Sequence, residues 1–333
     1  MEQQTFRTTI SIKPAQVKFD VGDSLFSIGS CFAEELNTLM NNGFLQAYQS
    51  PYGTVYNPQS IEFQIHRIVT QTPATEAEIV ERDGFFVSLM AHGSVMAETK
   101  ESLLAKLDQY TQEANRQLRE AHFVLITLGT AYVYNNISMN MVVANCQKQN
   151  AKLFNRYRIS QAEATASLRN VIGDIKSINP SAQIIFTVSP IRHLADGMVE
   201  NTLSKSTLLL SVADVVDGES VQYFPSYEIV MDDLRDYRFY ASDMAHPSPE
   251  AVRYVYEHFA HTYFSDKTRD LAREGEKIST MLRHRPLTPN ASKYAEFLDK
   301  ARARIKVLAK QYSLSDSYKP IANAFCLLDN LRS

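Results

Sequence analysis

The sequence predicts an α/β fold built on a mostly parallel sheet, and three features carry that prediction. Residues 24–28 (SLFSI), 123–128 (FVLITL) and 183–188 (QIIFTV) are short, nearly continuous apolar runs. Such runs suit strands covered on both faces, as in a parallel sheet between helix layers. Long helical patterns at 101–121 and 160–177 precede the second and third runs, and strands alternating with helices point the same way. Finally, 333 residues of which 44% are hydrophobic can bury one large core.

In chain order, the first run passes through Gly29 and Ser30 into the amphipathic stretch CFAEELNTLM, which reads as strand, tight turn and helix. Residues 84–96 (GFFVSLMAHGSVM) alternate in polarity and predict a β-hairpin inserted as a flap. A fourth strand is expected at 221–224 (VQYF). After Pro247 a helix should begin with Ser248 as cap and Pro249 in its first turn, and run to about His261. From Lys267 the chain turns to charged amphipathic helix, LAREGEKISTMLRH and then SKYAEFLDKARARIKVLAKQY, with Pro286 and Pro289 between them. This tail is either a packing appendage or an arm for dimerisation or a partner. The expected organisation is one α/β domain over 1–265 and a helical extension over 266–333.

Lys and Arg total 34 against 37 Asp and Glu, a formal charge of −3, so nothing electrostatic favours nucleic acid or an anionic membrane as partner. Cys31, Cys146 and Cys326 are far apart and form no CxxC pair, which indicates neither a disulfide framework nor a zinc knuckle. Residues 1–20 contain no apolar signal core, and no apolar run approaches the ~18 residues of a membrane span. A cytoplasmic globular protein is expected.

Ser30 falls where the first strand ends and a helix begins. In open α/β sheets the ligand crevice lies at the carboxyl ends of the strands, and a helix N-terminus favours developing negative charge. Ser30 is therefore a candidate nucleophile, or simply the helix N-cap, a position where serine is preferred. Cys31, one residue further on, is the rival nucleophile. Its side chain is expected to face the core, because free cysteine is among the most buried residue types. Near the other end of the domain, SDMAHPSPE sets Asp243 and His246 three apart just before a helix. A catalytic histidine needs a carboxylate on one ring nitrogen and the nucleophile on the other, and one loop here supplies both groups. The alternative is a solvated loop in which His246 caps or packs. Ser30 as nucleophile, His246 as base and Asp243 as orienting carboxylate form the candidate triad.

The string GSCFAEEL at 29–36 resembles the defining motif of the GSCFA domain family. PYGTVYNPQSI (51–61), ITLGTAYVY (126–134), TVSPIRHLADGMVEN (187–201), the Ser204-Lys205 pair and YFPSYEIVMDDLRDYRFYASDMAHPS (223–248) are similar to further blocks of that family in the same order. The family itself looks like a branch of the SGNH/GDSL hydrolase superfamily. The resemblance implies a three-layer α/β/α, flavodoxin-like fold and roles for Ser30, Asp243 and His246 in acyl transfer. It also implies an oxyanion hole formed by the N–H groups of Ser30 and Gly53, with Asn145 adding an amide from the loop after the second strand. Two positions depart from the pattern: Ala131 stands where SGNH enzymes carry the Asn of a Gly-x-Asn, and Gln147 where the family shows a histidine.

His92 lies in the flap segment, in a block similar to a family segment whose tryptophan is replaced here by Phe86; it either contacts substrate or packs. Arg192 and His193 follow the third strand at its carboxyl end, where they either meet a substrate anion or serve a structural ion pair. His258 and His261 are three apart on a helix, but no third metal ligand follows at suitable spacing. HExxH, GxxxxGK[ST] and a strand-following GxGxxG are all absent. No metal or cofactor is expected. The resulting reading is a serine acyl hydrolase acting on an O-acyl ester, by analogy with the superfamily an O-acetyl ester of a carbohydrate or small molecule. Two further readings stay open: acyl transfer to an acceptor other than water through the same triad, and a non-catalytic binding module on the same fold.

Overall fold

The computed structural model describes residues 7–284 and 291–332; Pro286 and Pro289, expected to separate the C-terminal helices, lie outside them. Its first half runs β1 (Ser24–Gly29), α1 (Cys31–Asn42), β2 (Gln46–Gln49), α2 (Pro58–Thr70), β3 (Ile79–Arg82), β4 (Phe85–Ser88), β5 (Met96–Ala97) and α3 (Lys100–Glu120). Then come β6 (Phe123–Leu128), β7 (Tyr132–Asn136), β8 (Met141–Val143), β9 (Phe154–Arg158), α4 (Gln161–Ile178), β10 (Gln183–Val188), α5 (Met198–Ala213) and β11 (Val221–Tyr223). The helix Pro249–Tyr263 follows, with Ser248 Oγ accepting from the Ala251 N–H at 3.3 Å, as the Ser-Pro signal required.

The central sheet has the order β11-β10-β6-β1-β2, with helices on both sides. Counted along the chain its strands stand 2-1-3-4-5, the flavodoxin-like order, whose ligand crevice opens at the switch between the first and third strands. β1 pairs with β6, and β6 with β10, in parallel, so Gly29, Thr127 and Thr187 sit at one level where these strands end. Apart from Ser24 and Gln183 at their starts, all residues of β1, β6 and β10 are buried, which explains why they read as continuous apolar runs. α2, α3, α4 and α5 pack as a layer, α2 on α3 and α4, and α4 on α5. α4 opens with a capping box in which Ser160 and Glu163 exchange hydrogen bonds.

Two small antiparallel sheets extend this frame, β3-β4-β5 and β8-β7-β9. The segment expected to form a flap, 84–96, lies in the first of them. β4 pairs with β3 across the Asp83-Gly84 turn, both of whose residues have positive φ, and with β5 on its other side. Of its apolar side chains Phe85 is exposed and Phe86 partly buried. Val87, Leu89 and Met90 are buried, the last two with Val143.

By internal contacts the chain divides into two compact units. The first comprises residues 1–11, 25–35 and 48–255 and holds the large core. The second comprises 12–24, 36–47 and 256–333, so the boundary expected at 265 falls inside it. Within the second unit, the helix Asp266–Arg283 meets the turn at Gly43 backbone to backbone. A Cβ at Gly275 would lie 2.6 Å from the Gly43 carbonyl. Ser279 and Arg283 bond to Asn42, and Tyr318 to the Phe44 carbonyl. Among the described residues no helix is long and apolar enough to cross a membrane.

Candidate active site

The crevice is built where β1 ends. Gly29 has φ +135°, and a Cβ there would stand 2.1 Å from the Thr127 carbonyl oxygen, so only glycine lets the chain turn here. Ser30 donates its N–H to that same carbonyl at 2.9 Å and accepts from the Ala33 N–H at 2.8 Å through its own carbonyl. Its side chain is 1% exposed, and Ser30 Oγ has no hydrogen-bond partner.

Cys31, the first residue of α1, is only partly buried, and its Sγ lies 3.7 Å from His246 Nε2. The structure thus corrects the expectation that Cys31 faces the core: it is Cys31, not Ser30, that meets His246. Helical residues advance about 100° per position, so one step past the turn carries the next side chain from the interior to the crevice.

The other half of the site is a tight loop. Asp243 Oδ1 accepts the N–H groups of Ala245 and His246 at 2.9 and 3.0 Å, and its Oδ2 lies 2.6 Å from His246 Nδ1. Those donors hold the Asp243 carboxyl down at about 2, so it is ionised at neutral pH. An ionised acceptor on Nδ1 fixes the proton there and leaves Nε2 as an acceptor towards the thiol. Both side chains are 50% exposed, which leaves the pair open to solvent. Burial raises the Cys31 thiol above its ordinary value, with Glu34 and Glu35 adding to the rise and the N–H groups of Cys31 and Phe32 opposing it. The resting sulfur is therefore a thiol, which needs a base to become nucleophilic.

The other sequence candidates fall into two groups. Gly53 (φ +76°) and His92 are brought together: a Cβ on Gly53 would lie 2.6 Å from His92 Cβ, and the His92 N–H donates to the Tyr52 carbonyl. The Gly53 loop is tied to the turn after β1 through Val55 N–H to the Gly29 carbonyl and Thr54 Oγ1 to Glu34. However, the Gly53 N–H donates to Ser50 at 3.2 Å, as that of Ser30 does to Thr127, so both expected oxyanion donors are engaged. His92 Nδ1 pairs with Ser94. Asn145 bonds Leu89 through its N–H and caps Gln147 through its amide oxygen. Buried Gln147, the departure from the family pattern, staples Ser88, Ala91 and Arg82 together.

Arg192 packs against the Asp243–His246 loop. Its N–H donates to Ala245, its Nη2 to the Met244 carbonyl, and its guanidinium stacks 4.2 Å over Tyr240. It thereby grips the loop that carries Asp243 and His246, where Met244 is held at φ +57°. His193, edge-on to Tyr56 at 5.9 Å, is pushed down to about 4 by burial and so stays neutral. Sequence reasoning gave no role to Lys205. It is fully buried on α5, burial lowers it to about 7, and its Nζ donates to Gly129 and Ser189 at 2.6 and 2.7 Å. Those carbonyls follow β6 and β10, so Lys205 ties two strand ends together beside the crevice. A lysine between the leucines of LSKSTLLL was the available signal. Among the described residues no three His, Cys, Asp or Glu side chains converge as a metal site requires.

Comparison with known proteins gives one family. The GSCFA family model matches residues 24–259, and the model of the GSCFA C-terminal domain matches 276–319. No curated protein sequence matches the chain. Solved structures similar to it include an acetyl xylan esterase from the rumen bacterium Butyrivibrio proteoclasticus, at 12% identity and a TM-score of 0.38 over 76% of this chain and 64% of that one. A carbohydrate esterase of family 3 from Talaromyces cellulolyticus aligns at 7% identity and 0.36, over 76% of this chain and 99% of its own. A family two carbohydrate esterase from Clostridium thermocellum aligns at 12% and 0.31, over 80% of this chain and 66% of its own. The chain thus spans about two thirds of the first and third of these, and its fold assignment rests on its own strand order.

Proposed function

The chain belongs to the GSCFA family, and from the geometry of its crevice we propose that it is an acyl-transfer enzyme whose nucleophile is the thiol of Cys31. The observation that carries this reading is the Cys31–His246–Asp243 line, 3.7 Å from sulfur to Nε2 and 2.6 Å from Nδ1 to carboxylate. His246 Nε2 takes the thiol proton as sulfur attacks the acyl carbonyl. The tetrahedral intermediate then collapses to a thioester, and the alkoxide leaves with the proton from His246. Water, deprotonated by the same nitrogen, attacks the thioester and regenerates the thiol. Asp243 stays ionised throughout and steadies the imidazolium. Since the N–H groups of Ser30 and Gly53 are engaged, the oxyanion falls to the N-terminus of α1, whose Cys31 and Phe32 N–H groups face the sulfur at rest and would turn to the developing charge.

The substrate we propose is an O-acyl ester of a carbohydrate or small molecule, on the strength of the resemblance to SGNH-type hydrolases; transfer to an acceptor other than water runs through the same thioester. The test compares Cys31→Ala, Cys31→Ser and Ser30→Ala on an activated acetyl ester, with mass spectrometry of the quenched enzyme. Cys31→Ala should abolish turnover and the trapped acetyl group, while Ser30→Ala should keep both. The opposite pattern returns the nucleophile to Ser30.

A further inference from the structure

Helix α5 presents two unlike faces. Its inner face buries Asn201, Ser204, Lys205, Leu208, Ser211 and Val212. On its outer face Val199, Leu203, Ser206, Leu210 and Ala213 are exposed, at spacings of 4-3-4-3. Val199 is 73% exposed, Leu203 40% and Leu210 53%. No charge interrupts this stripe: the charged residues of α5 are Lys205, which is buried, and Glu200, which accepts from Tyr132. Apolar and small side chains alternating at three and four positions form the seam by which one helix packs on another. An uncharged apolar stripe left exposed on a helix marks an interface. Among the described α-helices no other carries more than one large apolar side chain so exposed; Val307 and Leu327 stand singly on theirs.

The order of residues says what covers the seam. Laid antiparallel on its own copy about Ser206, the stripe sets Val199 against Ala213 and serine against serine where the axes come closest, and brings Leu203 within one residue of rise of Leu210. Large meets small at the ends, and no like charges oppose. That self-complementarity is what a two-fold interface demands. We propose that two copies of this chain associate through an antiparallel α5–α5 seam. The proposal is independent of the catalytic reading. A single helix pair is a small interface, below ~1,200 Å² in total, so the association should be weak, in the micromolar range.

The test is sedimentation velocity on the full chain from low to high micromolar concentration. The wild type should shift from monomer to dimer, while Leu203→Glu and Leu210→Lys should each remain monomeric. Mixed together, those two variants should dimerise again, because the antiparallel register brings Glu beside Lys in one contact and leaves Leu beside Leu in the other. Ser206→Arg, at an exposed hydroxyl, should also abolish association, and circular dichroism confirms that each variant is folded. A wild type that stays monomeric throughout leaves the seam to a partner of another sequence and overturns the proposal. So does a Leu203→Glu protein that dimerises like wild type, or a mixture that fails to restore the dimer.

Discussion

The two halves of the crevice are held by different means. The turn after β1, 29–34, which carries the proposed nucleophile, is fixed by main chain: Gly29 against Thr127, the Ser30 N–H on the Thr127 carbonyl, and Val55 on the Gly29 carbonyl. The Asp243–His246 loop, 237–248, lies at the surface and is folded on itself by its own hydrogen bonds, and Arg192 grips it through its N–H and its guanidinium. The first half belongs to the sheet and cannot move without it. The second is an attachment whose geometry can be lost while the sheet stands. Changes at the first should therefore register as stability, and changes at the second as rate.

Substitutions at four positions test that contrast. Gly29→Ala should have the largest effect, because its Cβ meets backbone and its φ is forbidden to alanine. A loss of ~3–5 kcal/mol, read by denaturant titration, is expected. His246→Ala should leave the melting temperature nearly unchanged and cut kcat on an activated ester by ~10²–10⁴-fold. Arg192→Met should lower kcat by about 10²-fold with KM little altered, through misplacement of His246, and Arg192→Lys should recover some of the loss. If Arg192→Met instead melts as early as Gly29→Ala, the Asp243–His246 loop is structural and the contrast breaks. Smallest is Ser30→Ala, which removes a hydroxyl without a partner and should change kcat less than ~3-fold, within the usual scatter of neutral changes.

The contrast also has a pH signature. Asp243 is held at about 2, below its ordinary 3.8, so its stabilising contribution is full above the ordinary value and is lost only as pH falls towards about 2. Loss of stability through Asp243 is therefore confined to pH below about 4. Asp243→Asn should lower kcat at neutral pH, because the imidazolium formed in the reaction loses its counter-charge. A loss of stability on acidification that persists unchanged in the Asn variant does not come from Asp243.

The sheet was legible because β1, β6 and β10 are buried on both faces, and burial on both faces writes an unbroken apolar run. The Asp243–His246 pair was legible because one loop supplies both groups. What escaped was orientation. GSC offers two adjacent nucleophiles, and only the turn at Gly29 decides which side chain enters the crevice. Alternation in 84–96 is the same whether the apolar side covers a site or fills a core, and the structure has it filling one. β7, β8 and β9 were missed because they are short and partly exposed, with Asn135 and Asn136 ending the first of them. Arg192 reads as a free cation until Tyr240 and the Met244 carbonyl are seen beneath it.

The bonds of Lys205 also set an order of events as the chain folds. Its ammonium reaches back 16 residues to Ser189 but 76 to Gly129, so the second contact closes much the longer loop. Parallel strands already require distant segments to meet, and contacts of that span form slowly. The loop at Gly129 can take its final shape only once α5 has docked, many residues after β1 and β6 have been synthesised. A nascent chain that ends before residue 205 holds Ser30 and Cys31 at the end of β1 but lacks the cation that gathers the neighbouring carbonyls, and it lacks His246 altogether. On the proposed reading, the thiol of Cys31 is synthesised 215 residues before His246, the base it would use.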